Sequence, residues 1–349
     1  MRAKNWATAL CAAVMAILIL DGKSALSAGA DGITMCLQTV IPSLFPFLLL
    51  SILLTDFLRG GSFPSCNRLS QWMGIPPETI PLYCIGLIGG YPAGAQSIAL
   101  CCGKGTLDRR NAGRMVAFCN NAGPAFLFGI GAVVFDSLIP CILLWGIQIL
   151  SSLFLAFSMP GQIVSSGKMQ KEDTISISRT MRLATQTMGL ICGWVVLFRV
   201  ILAFLQRWFL WLLPLWGRIL VTGMLEMTNG CCQLSEISSV GEKILLFALF
   251  GNFGGLCVTL QTLSITAEVK IPMRSYLPAK LAQAGYALIL SQMAQWLLPA
   301  KDRFFLPLPI PLLCIVGLLC FAFLGRKRKK GVAIPSKLLY NEKKSPLLR

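Results

Sequence analysis

Four short stretches of the chain combine residues that interrupt a helix with side chains able to hold a small polar molecule. In Gly89-Gly90-Tyr91-Pro92-Ala93-Gly94 the glycines let the chain turn tightly and bring backbone close to a ligand, while Tyr91 adds an aromatic face and a hydroxyl. Asn120-Asn121-Ala122-Gly123-Pro124 sets two amides ahead of a Gly-Pro pair that restarts a helix. Glu226, Thr228 and Asn229 precede Gly230, and Gly251-Asn252-Phe253-Gly254-Gly255 is followed by Thr259 and Gln261. This is a set for binding, not for making bonds. Histidine is absent, which removes Ser-His-Asp and Cys-His triads and every zinc site with a His ligand. The Ser and Cys residues lack an evident base partner, so no enzyme is expected.

Metal and cofactor chemistry finds little support. The 14 cysteines are scattered through apolar runs, no C-x-x-C occurs, and the adjacent pairs Cys101-Cys102 and Cys231-Cys232 do not have zinc-site spacing. They read as small, soft packing residues. No cofactor and no metal is expected.

The elements that must position the four stretches are membrane helices. Of 349 residues, 55% are hydrophobic and 13% charged, and the mean hydropathy is +0.71. Soluble domains carry about 25% charged residues, so lipid must cover much of this surface. Apolar segments of about 20 residues can each cross a bilayer. The segments are 5–20, 33–57, 115–135, 137–158, 183–204, 244–265, 276–298 and 304–324. The first resembles a signal peptide, with a cleavable-looking stretch from Ser24 to Ala28, and is expected to stay as an uncleaved helix. A polar stretch from Asp21 to Asp31 follows it, and Pro42 and Pro46 are expected to kink or break the next span. Segments 80–102 and 208–235 are apolar but interrupted, the second by Pro214, Gly217, Gly223 and Gly230.

Topology follows from charge. If 80–102 and 208–235 are re-entrant hairpins and the other eight segments cross, the basic loops fall in the cytoplasm. These are 59–79, 103–114, 159–182 and 266–280, together with the chain start and the tail from Arg326. Of 31 Lys and Arg, 24 then lie inside and 6 outside, with Arg199 within a span, as the positive-inside rule requires. The net charge of +17 is thereby explained without nucleic acid as a partner. One hairpin then enters from the cytoplasm and the other from outside. Units of about 33–158 and 183–298 are oppositely oriented, the inverted-repeat plan of secondary transporters. The expected fold is an all-α polytopic membrane protein in one domain over 1–325, with inverted repeats, about eight transmembrane helices and two re-entrant hairpins. A basic cytoplasmic tail covers 326–349.

Broken helices in lipid need partners for their free N–H and C=O groups, and a half-helix N-terminus offers donors to an anion. Gly and Pro in membrane helices also serve as packing or kink residues. Four matched breaks meeting near the midplane favour a site. The candidate binding residues are Gly90, Tyr91, Pro92, Gly94, Asn120, Asn121, Gly123, Glu226, Asn229, Asn252, Gly254, Gly255 and Gln261. Glu226 either pairs with Arg218 or Arg199 or serves as a proton or cation coupling site. Thr259 and Gln261 can equally tie helices together. The Trp cluster at 208, 211 and 216 reads as an interfacial belt.

At these residues the chain resembles a known family. Ile41-Pro42-Ser43-Leu44-Phe45-Pro46-Phe47, Gly89 to Ala95, Cys119 to Phe126, and Gly254 to Gln261 are similar to the sporulation integral membrane proteins that carry the nucleoside-recognition, or Gate, domain. The resemblance spans roughly residues 5–325. It implies a small-molecule transporter of the stage V type, which is implicated in moving dipicolinate across the outer forespore membrane of a spore former. Half-helix N-termini and asparagine amides suit the two carboxylates of dipicolinate, and Tyr91 or Phe126 suits its ring. The expected partners are therefore a small organic anion and the lipid bilayer, and a homo-oligomer stays open. The rival expectations are a nucleoside or nucleobase transporter and a membrane scaffold of a sporulation complex.

Overall fold

The computed structural model describes residues 18–58, 67–159, 161 and 176–307, with scattered positions on either side. Most of the last expected span over 304–324, the tail from Arg326 and most of the first helix over 5–20 lie outside the described residues. Helix α1 (Gly22–Met35) runs through a π-helical turn, Cys36–Val40, into α2 (Ile41–Leu58), and a short α3 follows (Asn67–Met73). Then come α4 (Ile80–Gly89), α5 (Ala93–Gly103), α6 (Arg109–Cys119), α7 (Pro124–Phe135), α8 (Leu138–Ser158) and α9 (Ile177–Trp208). The described part is completed by α10 (Leu215–Leu225), α11 (Met227–Gln233), α12 (Val240–Phe253), α13 (Gly255–Ala267) and α14 (Tyr276–Ala294). No strand occurs among the described residues.

The molecule is an all-α polytopic membrane protein. Among the described residues five helical stretches are long and apolar enough to cross a bilayer: Gly22–Leu58, Arg109–Phe135, Leu138–Ser158, Ile177–Trp208 and Val240–Ala267. Leu50, Leu54 and Phe57 on α2, and Ile139, Ile142 and Leu150 on α8, stand exposed as lipid-facing side chains. The enclosed crossing is Val240–Ala267, with 83% of its most apolar window buried, against 22% for Gly22–Leu58. One long helix is thus the axis and the other lies at the rim.

Three expectations change at this level. The polar stretch Asp21–Asp31 is not a connection but the first turns of α1. It is held against α9, where Asp21 pairs with Arg207 at 3.2 Å and Gly32 lies close to Val196. Pro42 and Pro46 do not break the second span. The π turn just before Pro42, closed by Ile41 N–H to Cys36 O, widens the helix where the Pro42 ring would press on the preceding turn, and Pro46 stays inside α2. Arg114, counted above in a basic loop, sits inside α6 and is buried, donating to the carbonyls of Met73, Gly74 and Met159.

The hairpins and the interrupted crossings differ in packing. Helix α4 packs back along α5, and α10 along α11. By contrast α7 continues the line of α6, and α13 that of α12. The interruption of the second hairpin falls at Glu226, not at the glycines. Gly223 and Gly230 face each other instead, and a Cβ on Gly230 would stand 2.1 Å from Gly223 Cα, so these glycines let the two arms touch.

Candidate substrate site

The first hairpin is seated on the first interrupted crossing through backbone. A Cβ on Gly86 would lie 1.8 Å from the Cys119 carbonyl oxygen, and one on Gly94 would lie 2.2 Å from it. Both arms of the hairpin therefore press on the last turn of α6. At the tip Gly90 has φ 75, a left-handed conformation that glycine adopts freely. Gly90 also meets Gly123, with no room for a side chain on either. Pro92 precedes α5, and Pro124 occupies the first turn of α7, where a missing N–H costs nothing.

The second hairpin repeats the arrangement by other means. Its tip residue Glu226 is extended and caps α11, accepting from Thr228 N at 3.0 Å and from Asn229 N at 2.8 Å. The Asn229 side chain donates back to Glu226 and accepts from Arg199 of α9. The tip lies on the second interrupted crossing: a Cβ on Gly255 would be 3.2 Å from both Leu225 O and Met227 N. Beside this hairpin opens a cavity of about 280 Å³, whose lining includes Gln206, Trp211, Arg218, Thr222, Gln233 and Glu236. The Thr222 hydroxyl there is buried without a partner.

Tyr91 joins the two halves. Its hydroxyl donates to Gly251 O at 3.3 Å and Asn252 O at 3.4 Å, and the ring lies against Gly254. All four interruptions therefore form one continuous contact, from the Glu226 tip through Gly255, Gly254, Tyr91 and Gly90 to Gly123.

Around that line lies a fully buried polar cluster. Asn121 Oδ1 accepts from Gln148 Nε2 at 3.1 Å and from Gln283 Nε2 at 2.8 Å. Asn252 Oδ1 accepts from Ser151 Oγ at 2.5 Å and from Gln283 Nε2 at 3.2 Å. Asn120 Nδ2 donates to Thr262 Oγ1 at 2.9 Å and to Tyr276 Oη at 3.2 Å. Helices α6, α8, α12, α13 and α14 thus each send side chains or chain ends to one point. Two acceptors, Asn120 Oδ1 and Gln148 Oε1, are buried with no protein donor. Such groups are rare in folded proteins and mark places that a water or ligand completes.

One basic side chain lies in this cluster. Lys280, in α14, has 0% exposure. Its ammonium donates to Asn120 O at 2.9 Å and to Gln283 Oε1 at 2.7 Å, and stands 5.1 Å from the centre of the Tyr91 ring. Its acceptors are neutral, and no ion pair to it occurs among the described residues. A charged lysine buried in a membrane protein is costly, and hydrogen bonds to amides do not neutralise it. When protonated, this amine lacks the counter-charge that an anion would supply.

Of the residues singled out in the sequence, Gly90, Tyr91, Asn120, Asn121, Gly123, Asn252 and Gly254 come together here, with Pro92 and Gly94 supporting the hairpin tip and Gly255 seating the second hairpin. Glu226 and Asn229 are occupied with each other and with Arg199. Gln261 is buried and donates to Cys257 on its own helix. The sequence reading missed Lys280, Gln283, Gln148 and Ser151. By sequence Lys280 falls at the end of the expected loop 266–280, and 137–158 reads as an uncharged span. A signal was present: each of two apolar helices carries a polar pair three residues apart, hence on one face.

Over most of its length the chain is similar to a protein of sporulation. The sporulation integral membrane protein YlbJ of Bacillus subtilis (strain 168) is 26% identical, the alignment covering 78% of each chain. No family model matches the chain, and no solved structure matches it.

Proposed function

We propose that this protein is a membrane transporter for a small organic anion, with dipicolinate as the substrate, moved from the mother cell towards the forespore. One observation carries the reading: four helix interruptions meet around a buried polar cluster that holds the Lys280 amine, with the Glu226 carboxylate taken up by its own helix end and no other carboxylate there among the described residues. Interrupted helices at membrane depth are tolerated where protein or a polar chamber satisfies them, and they recur at the substrate sites of secondary transporters. The similarity to a sporulation integral membrane protein supports a membrane setting in sporulation, which we take to be the outer forespore membrane.

In this reading the units 33–158 and 183–298 are inverted repeats. Each has a hairpin whose tip rests on the interruption of the crossing that follows it. Each then ends in a helix that sends a polar pair inward, Gln148 with Ser151 in one and Lys280 with Gln283 in the other. A carboxylate of the substrate pairs with Lys280, amides orient it, and Tyr91 offers a ring face. A cation at this point favours an anion over an uncharged nucleoside.

Uptake by the purified protein in liposomes tests the proposal. Labelled dipicolinate is expected to enter and to be displaced by unlabelled dipicolinate but not by uridine. Displacement by uridine alone would assign the site to nucleosides. In the host, deletion of the gene should give spores poor in dipicolinate while its synthesis continues, and normal spore content would end the proposal.

A further inference from the structure

The amine of Lys280 is sealed from water, and among the described residues no ion pair reaches it. Around it the titratable groups are the Cys119 thiol at the end of α6, the Tyr91 hydroxyl at the hairpin tip, and the Tyr276 hydroxyl one turn back on α14. Helices α8, α12 and α13 bring only amides and hydroxyls, namely Gln148, Ser151, Asn252 and Thr262. Arg114, the nearest arginine on α6, is committed to three backbone carbonyls. None of these groups supplies a negative charge to the cluster.

We infer that Lys280 couples the anion to a proton: the empty site returns through the membrane with a neutral amine, and the loaded site carries an ammonium paired to the bound carboxylate. The inference rests on the transport reading above. Its physics is that a buried charge is stable when paired and expensive when alone. An anion entering the cluster makes the protonated amine favourable, and its departure removes that reason. The amine therefore takes a proton from the side on which substrate loads and gives it up where substrate leaves. No covalent bond forms or breaks, and one proton accompanies each substrate. Glu226, the residue that sequence reasoning offers for coupling, is already filled by backbone and amide donors.

The test is uptake of labelled dipicolinate by the full chain in liposomes loaded with a pH-sensitive dye. The unaltered protein is compared with Lys280→Arg and Lys280→Gln, and the exposed Lys301→Gln serves as control. In the unaltered protein and the control, substrate entry should bring a proton in the same direction, and an acid exterior should raise the initial rate several-fold. Lys280→Arg keeps a permanent cation; it should still bind dipicolinate, turn over about 10-fold more slowly or worse, and show no proton flux. Lys280→Gln should bind at least about 10-fold more weakly, as loss of a buried charge partner implies. Detergent elution profiles matching the unaltered protein establish that both variants are folded.

Substrate flux without proton flux in the unaltered protein would overturn the coupling and leave the transporter standing. Proton-linked uptake that survives in Lys280→Gln would do the same. If the unaltered protein neither binds nor moves dipicolinate, the transport reading fails and the coupling with it.

Discussion

Two charged side chains lie buried at the interruptions, and their surroundings differ in kind. Glu226, at the tip of the second hairpin, is 4% exposed and has its oxygens filled by two backbone N–H groups and the amide of Asn229. A carboxylate at the start of a helix also meets the favourable end of the helix dipole. Lys280, at the meeting of the two interrupted crossings, has only a backbone carbonyl, an amide oxygen and a ring face. The difference separates structure from function. A charge whose oxygens are filled by the helix end it caps holds the fold, whereas an amine answered only by neutral acceptors leaves a valence for a ligand.

The largest expected effect breaks or upholds that contrast directly. Lys280→Met should lower dipicolinate uptake by about 100-fold or more, the scale of losing a buried charge partner. Glu226→Gln, whose amide oxygen still caps, should keep uptake within about 3-fold. Equal losses in the two would erase the distinction. Asn121→Ala comes next, because it strips a shared acceptor from Gln148 and Gln283 and leaves two buried donors unmatched. It should cost about 2–4 kcal/mol of stability and most of the uptake, with normal membrane insertion; full uptake in this variant would move the site elsewhere.

Smaller effects sharpen the comparison. Glu226→Ala removes the cap of α11 and should lower stability by about 1–2 kcal/mol, seen as an earlier thermal transition in detergent that Glu226→Gln largely avoids. Tyr91→Phe loses two long hydrogen bonds but keeps the ring beside Lys280. It should cost about 1 kcal/mol or less and leave uptake nearly intact, while Tyr91→Leu should impair it. If Tyr91→Phe proves as damaging as Tyr91→Leu, the hydroxyl and not the ring is the working part.

Composition and interruption were readable in the sequence, because both are local. Excess apolar residues demand lipid, and Gly90, Pro92 and Pro124 limit where a helix can run. The first hairpin, expected over 80–102, is found as α4 and α5. What escaped depends on neighbours distant in the chain. Lys280 looks the same whether it ends a loop or enters a core, since only the packing of α6 and α8 against α14 decides it. The second hairpin turns at a carboxylate that caps, a role invisible when glycines are taken as the markers of a break. The glycines there serve contact between the arms. The polarity of Asp21–Asp31 gives no sign of its helix, because α9, which supplies Arg207 to Asp21, is distant in the chain.

The close meeting of Gly90 with Gly123 has a mechanical consequence. With no side chain between the two backbones, hairpin tip and crossing meet directly, and a side chain on either glycine would force them apart. The contact of Tyr91 with Gly251 and Asn252 is by comparison a loose stitch, two hydrogen bonds of 3.3 and 3.4 Å. A gate that opens in this protein is therefore expected to part along the Tyr91 seam, carrying Gly90 and Gly123 together as one jaw.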